Sequence, residues 1–257
     1  MLTIKKFIKN RKNQNISVLV EKLDNPKGLA FVMHGLGGFK EQPHIEIFAK
    51  AFRDNNYIVV RFDTTNTFGE SDGDYADATV TNYFEDLEDV IKWSKSQDFY
   101  QEPFVLCGHS LGGISTALYS QKYPEKVKAL APISTVVSGK LSLERYSQDE
   151  LDEWEKTGWQ TKLSSDGKRV KKIKYSHIVD RLKYNLLDDA HKLTMPVLIM
   201  SGELDESTPP KHQELLYNKL PGKKEFHVIK NAPHTFKEEG HLSEVYQALD
   251  KWIKNIN

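Results

Sequence analysis

Gly108-His109-Ser110-Leu111-Gly112 sets a serine between two glycines in the pattern GxSxG, the signature of a nucleophile on a sharp turn. A serine hydroxyl is a poor nucleophile at neutral pH, so it needs a base to take its proton and a carboxylate to orient that base. Further along, Ser201-Gly202-Glu203-Leu204-Asp205 offers Asp205, and Asn231-Ala232-Pro233-His234 offers His234. The order Ser110, Asp205, His234 supplies nucleophile, acid and base, with Glu203 and Glu206 as alternative orienters of the histidine. Upstream, Met33-His34-Gly35-Leu36-Gly37-Gly38 is a glycine-rich turn whose backbone can come close to a substrate oxygen. The amides of Leu36 and of Leu111, the residue after the serine, are the expected oxyanion hole. Together these groups predict acyl transfer through a covalent acyl-serine.

Other chemistries find less support. The glycine turn lacks the Lys and Ser/Thr of a P-loop and does not fit GxGxxG, so nucleotide binding is not expected. There is no HExxH and only one cysteine, Cys107, so no metal and no cofactor are expected. Of the nine histidines, only His234 closely follows the last apolar strand. His177, His191, His212 and His241 read as solvated, and His109 and His227 as structural.

The elements that must position these residues follow from hydrophobic periodicity. Residues 16–21 and 28–33 are short apolar runs separated by Asp24-Asn25-Pro26, and they predict adjacent strands in a hairpin. Ile45, Phe48, Ala49 and Phe52 share a helix face, followed by a strand at 57–62. Phe84, Leu87, Val90 and Ile91 mark the next helix, 103–107 a buried strand, and 114–118 a helix ended by Pro124. A strand at 127–133, a strand at 196–200, a helix near 212–220, a strand at 225–229 and a helix through Leu242, Val245, Leu249 and Trp252 complete the series. Alternating strands and helices with apolar strands predict a mostly parallel sheet covered on both faces. The serine then stands between strand 103–107 and a helix, and Asp205 and His234 lie on loops after later strands.

Residues 138–192 break this rhythm. Ser147 and Glu150 form a capping box for an acidic helix ending at Gly158, and Ser164-Ser165-Asp166-Gly167 predicts a hairpin turn between 160–163 and 168–174. The expected division is a core of 1–137 and 193–257 with a cap, or lid, at 138–192. Trp154, Trp159 and Tyr175 in the cap are candidates to line an acyl or aryl pocket. The basic run 168–174 alternates with Val170 and Ile173 and reads as a solvated strand face rather than a nucleic-acid patch.

The motifs resemble those of the serine α/β-hydrolases: HGLGG at 34–38, FGESDG at 68–73, GHSLGG at 108–113, SGELD at 201–205 and NAPH at 231–234. They run in family order over nearly the whole chain, which is particularly similar to small capped bacterial esterases, a neighbourhood of feruloyl and cinnamoyl esterases and monoacylglycerol lipases. Asp63-Thr64-Thr65-Asn66-Thr67 departs from that pattern, since relatives commonly carry an Arg or Asn before the first glycine of the second motif. The resemblance implies an α/β-hydrolase fold with a small cap, a catalytic triad and an oxyanion hole.

Composition sets the outer bounds. The 257 residues are 39% hydrophobic, enough for a large core, and 36 basic residues balance 36 acidic ones. A neutral chain has no general field to attract nucleic acid. No apolar stretch has the form of a signal peptide or membrane span, and a lone cysteine fits a reducing compartment, so the expected location is cytoplasmic. The expected function is a serine carboxylic ester hydrolase acting on soluble short- to medium-chain or aryl esters. Peptidase, thioesterase or lactone hydrolase chemistry on the same triad is the alternative, followed by a non-catalytic binding protein on this fold.

Overall fold

The computed structural model describes residues 1–163 and 170–256. Strands β1 (Leu2–Lys9), β2 (Asn15–Lys22) and β3 (Gly28–Met33) lead into helix α1 (Pro43–Asp54) and strand β4 (Tyr57–Phe62). Helix α2 (Val80–Ser94), strand β5 (Phe104–His109), helix α3 (Leu111–Lys122) and strand β6 (Val127–Ile133) follow. Helix α4 (Gln148–Thr157), strands β7 (Trp159–Leu163) and β8 (Val170–Lys174) and helix α5 (Ser176–Arg181) come next. Strand β9 (Val197–Gly202), helix α6 (Pro210–Lys219), strand β10 (Lys224–Ile229) and helix α7 (Glu239–Asn255) end the chain.

Eight strands form one sheet in the order β1-β2-β4-β3-β5-β6-β9-β10. From β4 to β10 the neighbours are parallel, and β1 and β2 join at one edge antiparallel. Phe31 and Met33 of β3 face a layer containing Tyr83, Leu87, Ile114 and Leu216, whereas Ala30 and Val32 face Phe48, Phe52, Leu249 and Trp252. The sheet is therefore buried on both sides, which is why its strands read as continuous apolar runs. The chain goes from β3 to β4 on one side and then crosses to β5 on the other. At such a switch the loops after two neighbouring strands part and leave a crevice, here between the turns after β3 and β5.

Two expectations about the N-terminal strands need correction. Residues 16–21 and 28–33 do form strands, but they are not paired, because β4 lies between them. Five residues reach about 17 Å, enough to step over one intervening strand. The connecting segment ends with the Lys27 amide donating to the Asn56 carbonyl at the start of β4. The actual hairpin is β1 with β2, turned through Asn13 at φ 60°. Periodicity does not reveal β1 because it is an edge strand in which only Ile8 is buried.

Within 138–192 the capping box is present: Ser147 Oγ accepts from the Glu150 amide, and α4 ends at Gly158 with φ 75°. Strands β7 and β8 pair antiparallel, and the turn expected at 164–167 lies outside the described residues. The two ends of the segment are tied, since the Gly139 amide donates to the Tyr184 carbonyl and the Leu186 amide to the Val137 carbonyl. Among the described residues, no helix is long and apolar enough to cross a membrane.

Candidate active site

Ser110 sits between β5 and α3 at φ 55°, ψ −113°, a backbone conformation that costs a non-glycine residue energy. The sharp turn is possible because a Cβ on Gly108 would lie 2.3 Å from the Gly112 carbonyl oxygen, so nothing larger than glycine fits. The turn leaves Ser110 directly after the last residue of β5 and directly before the first residue of α3. The same crowding governs the turn after β3, where a Cβ on Gly35 would come within 2.9 Å of Ser110 Cβ.

His234 lies on the loop after β10 and Asp205 on the loop after β9. His234 Nε2 is 3.0 Å from Ser110 Oγ, and its Nδ1 is 2.8 Å from Asp205 Oδ2. With Nδ1–H donating to the carboxylate, the Nε2 lone pair faces the serine proton, which is the tautomer a base needs. The Asp205 carboxylate is buried and also accepts from the Ser207 and Thr208 amides and the Thr208 hydroxyl. Burial works against its charge, but the His234 contact and these donors hold its pKa well below the usual carboxylate range. Neither glutamate weighed as an alternative takes this place: Glu206 is exposed, and Glu203 is exposed with its carboxylate on the Asn231 amide.

The two amides expected as an oxyanion hole border the same cavity as Ser110 and His234. Leu111 opens α3, so its N–H has no partner within the helix. The Leu36 N–H belongs to the same peptide unit as the Gly35 carbonyl, and in a trans peptide the two point opposite ways. That carbonyl is held by His34 Nδ1 at 2.8 Å, by the Tyr83 hydroxyl at 3.2 Å and by the Gly38 amide at 2.9 Å. The Thr64 amide donates to His34 Nε2, which leaves Nδ1 as the protonated nitrogen. Three donors thus pin the carbonyl and fix the direction of the Leu36 N–H.

The departure at residues 63–67 has a structural role. Asp63, fully buried after β4, accepts from the Lys40 amide, Lys40 Nζ at 2.8 Å and the Glu70 amide. Gly69 passes so close that a Cβ there would meet the Asp63 carboxylate at 2.2 Å. Asp63 therefore ties segment 68–73 to the glycine turn beside Ser110.

Of the three aromatics singled out within 138–192, only Trp154 lines the cavity, where it is buried and lies nearly parallel to the His177 ring. Trp159 is exposed and packs against Lys172, and Tyr175 meets Trp154 edge-on from outside the cavity. Three histidines expected to be solvated are buried: His177, His212 and His241; His191 is exposed. Their segments are polar in sequence, but His177 gains the Ala78 carbonyl and His212 the Glu144 carboxylate as partners. The basic hairpin is solvated only in part, since Lys171 and Ile173 border the cavity.

Sequence reasoning passed over several contributors. His109 Nε2–H donates to the His234 carbonyl at 2.8 Å, and its ring packs against His44 at 4.6 Å. Burial, with neighbouring histidines adding to it, keeps both rings neutral: the pKa of His44 is pushed down to about 3, and that of His109 well below the ordinary value. Arg145 and Arg181 also border the cavity, with no signal in the sequence to separate them from solvated arginines. Among the described residues, no group of three or more His, Cys, Asp or Glu is placed to hold a metal ion.

The sheet, its switch point and the turns that meet there define an α/β-hydrolase. The sequence model of the serine aminopeptidase S33 family matches residues 24–160, more than half of the chain. The chain belongs to that family of hydrolases. It is 29% identical over 259 residues to a 31.7 kDa protein of the traX-finO intergenic region of Escherichia coli, covering 88% of this chain and 90% of that protein. It is 27% identical over 223 residues to the mitochondrial palmitoyl-protein thioesterase ABHD10 of Bos taurus, covering 83% and 68%. Among solved structures, Est1E of Butyrivibrio proteoclasticus with bound ferulic acid superposes with a TM-score of 0.82 at 20% identity, covering 97% and 98% of the two chains. Mouse ABHD10 superposes at 0.81 with 23% identity, covering 99% and 100%. At these identities the superpositions establish the fold.

Proposed function

We propose that this protein is a serine hydrolase that cleaves carboxylic esters or thioesters through an acyl-enzyme, with Ser110 as nucleophile, His234 as base and Asp205 as its orienter. The observation that carries the proposal is the continuous line from Ser110 Oγ through His234 to Asp205, at 3.0 and 2.8 Å. Ser110 Oγ attacks the carbonyl carbon as its proton passes to His234 Nε2, and the carbonyl oxygen becomes an oxyanion facing the Leu36 and Leu111 amides. Collapse expels the alcohol or thiol, which takes the proton from His234. A water then repeats the sequence on the acyl-serine, releasing the acid and restoring the hydroxyl. Asp205 stabilises the imidazolium formed in each half-reaction.

Residues 138–192 act in this reading as a cap over the mouth. The tied ends of the segment and its contribution of Trp154, Ile173 and Arg181 to the cavity walls support that division from a core of 1–137 and 193–257. The cavity, about 410 Å³, is lined by polar and cationic side chains such as Gln42, Gln160, Lys162 and Lys171, a wall that suits a small soluble substrate better than a long apolar chain. The thioesterase reading is kept beside the esterase one because ABHD10, a relative in sequence, bears that name. A panel of matched p-nitrophenyl esters, acyl thioesters and aminoacyl amides tests the proposal. Ester or thioester turnover that disappears in Ser110→Ala and His234→Ala is the expected result, and turnover that persists in Ser110→Ala contradicts it.

A further inference from the structure

Among the described residues lining the cavity, Arg145, Lys162, Lys171, Arg181 and Lys237 are cationic and none is a carboxylate. Arg145, Lys162 and Lys237 stand at the exposed rim. Arg181, at the end of α5, is different because it is only 6% exposed. Among the described residues, the other deeply buried cations have carboxylates beside them: Lys40 has Asp63 at 2.8 Å, and Arg61 has Glu21 at 3.0 Å and Glu46. Arg181 forms no ion pair among the described residues. Its guanidinium has five N–H donors and two neutral acceptors, Ser142 Oγ at 3.3 Å and His177 Nε2, and its Nε–H has no acceptor. His177 does not offset the charge, since its Nδ1–H is spent on the Ala78 carbonyl and burial beside Arg181 keeps the ring neutral. A second donor in the same wall, Trp154 Nε1, is also without an acceptor.

A buried cation without an anion is costly, and one held in place in the wall of the cavity that Ser110 also lines is a recognition site waiting for its counter-charge. The position is fixed from several sides. A Cβ on Gly139 would lie 2.0 Å from the Arg181 carbonyl oxygen, and neighbouring Asp180 accepts from the Thr81 amide and hydroxyl on α2. Burial, with Arg145 adding to it, pushes the guanidinium down to about 10, which still leaves it charged at neutral pH.

We propose that Arg181 recognises a carboxylate on the substrate, away from the bond being cleaved, so that the preferred substrates are esters or thioesters carrying one negative charge. This rests on the cavity being the substrate site of the hydrolase described above. A carboxylate fits better than a phosphate because Arg181 is the one deeply buried cation among the described cavity-lining residues, enough to balance a single charge. The rim cations attract the same charge on approach, and Arg181 fixes it.

The test compares the monomethyl esters of glutarate, adipate and suberate with the corresponding dimethyl esters. Their binding to Ser110→Ala protein is measured by calorimetry and their hydrolysis by the unsubstituted protein. At least one charged ester should bind tenfold or more tightly than its neutral counterpart, with the same bias in kcat/KM. Arg181→Met in the Ser110→Ala background should reduce the binding ratio at least tenfold, and Arg181→Lys should restore part of it. Equal binding of charged and neutral esters overturns the proposal, and that comparison needs no change at Arg181. So does a bias that survives Arg181→Met but is lost in Arg145→Met, or tighter binding of inorganic phosphate than of any monoester. If the charged esters bind with this bias yet none of the esters or thioesters is hydrolysed, the hydrolase reading fails and the recognition site stands.

Discussion

Asp205 and its neighbouring glutamates show how much a site depends on a single side chain's reach. Three carboxylates lie within four positions, and only Asp205 is buried against His234 Nδ1. Asp205→Asn should lower kcat by about 10³–10⁴ near neutral pH, because an amide favours the wrong imidazole tautomer, while Glu206→Gln stays near the parent rate. Steady-state kinetics on one good ester decide this, and the reverse ranking would move the role to Glu206. At the elbow, the 2.3 Å approach found for a Cβ on Gly108 involves backbone, which has nowhere to move. Gly108→Ala should therefore cost several kcal/mol, about 3 or more on the scale of severe packing and strain defects. Denaturant unfolding measures it, and a cost under about 1 kcal/mol would show that the turn can relax.

The elements that hold these residues are linked by buried polar contacts as well as by packing. Tyr83 on α2 reaches the Gly35 carbonyl, so a helix far along the chain helps aim the Leu36 amide. Tyr83→Phe should lower kcat by about three- to tenfold with KM nearly unchanged, since the amide matters most when the oxyanion forms. An unchanged kcat would remove Tyr83 from the clamp. Asp63→Ala leaves Lys40 buried with one carboxylate fewer and releases two loops, so about 3–5 kcal/mol of stability should be lost in denaturant unfolding. A loss near zero would mean that the Asp63 ties contribute little. Most of these elements were legible from apolar periodicity, because a sheet buried on both faces writes its strands as apolar runs and its helices as stripes. Strand order was not, since pairing is non-local: nothing in residues 16–33 says that 57–62 will come between the two runs. The edge strand β1 was hidden by its exposure. In the site, the GxSxG serine and the post-strand Asp205 and His234 were visible as motifs, whereas Tyr83, Asp63 and Arg181 act through tertiary contacts from segments that carry no motif.

Over the whole molecule, the site's histidines make stability depend on pH. His34, His44, His109 and His177 are buried, and burial holds each below its ordinary pKa. Unfolding frees them to bind protons at their ordinary pKa, so their contribution is fully present above about pH 6.5 and is lost as pH falls from there toward their folded values. For His44, folded near 3, the loss is about 2 kcal/mol by pH 5. Asp205 adds a further loss below its ordinary carboxylate range, because its folded pKa is depressed. Unfolding free energy should therefore fall steeply between pH 7.5 and 5.0, and His44→Gln should flatten that slope. A flat profile over this interval would contradict the account of the buried rings.

The claim at the centre is that Ser110 is the nucleophile, made reactive by His234 and Asp205. Labelling with a fluorophosphonate, mapped by peptide mass spectrometry, tests it most directly, because the reagent bonds to an activated serine whatever the natural substrate. A single adduct on Ser110, absent from Ser110→Ala and strongly slowed in His234→Ala, is the predicted result. An adduct on another residue, or labelling that persists in Ser110→Ala, would contradict it.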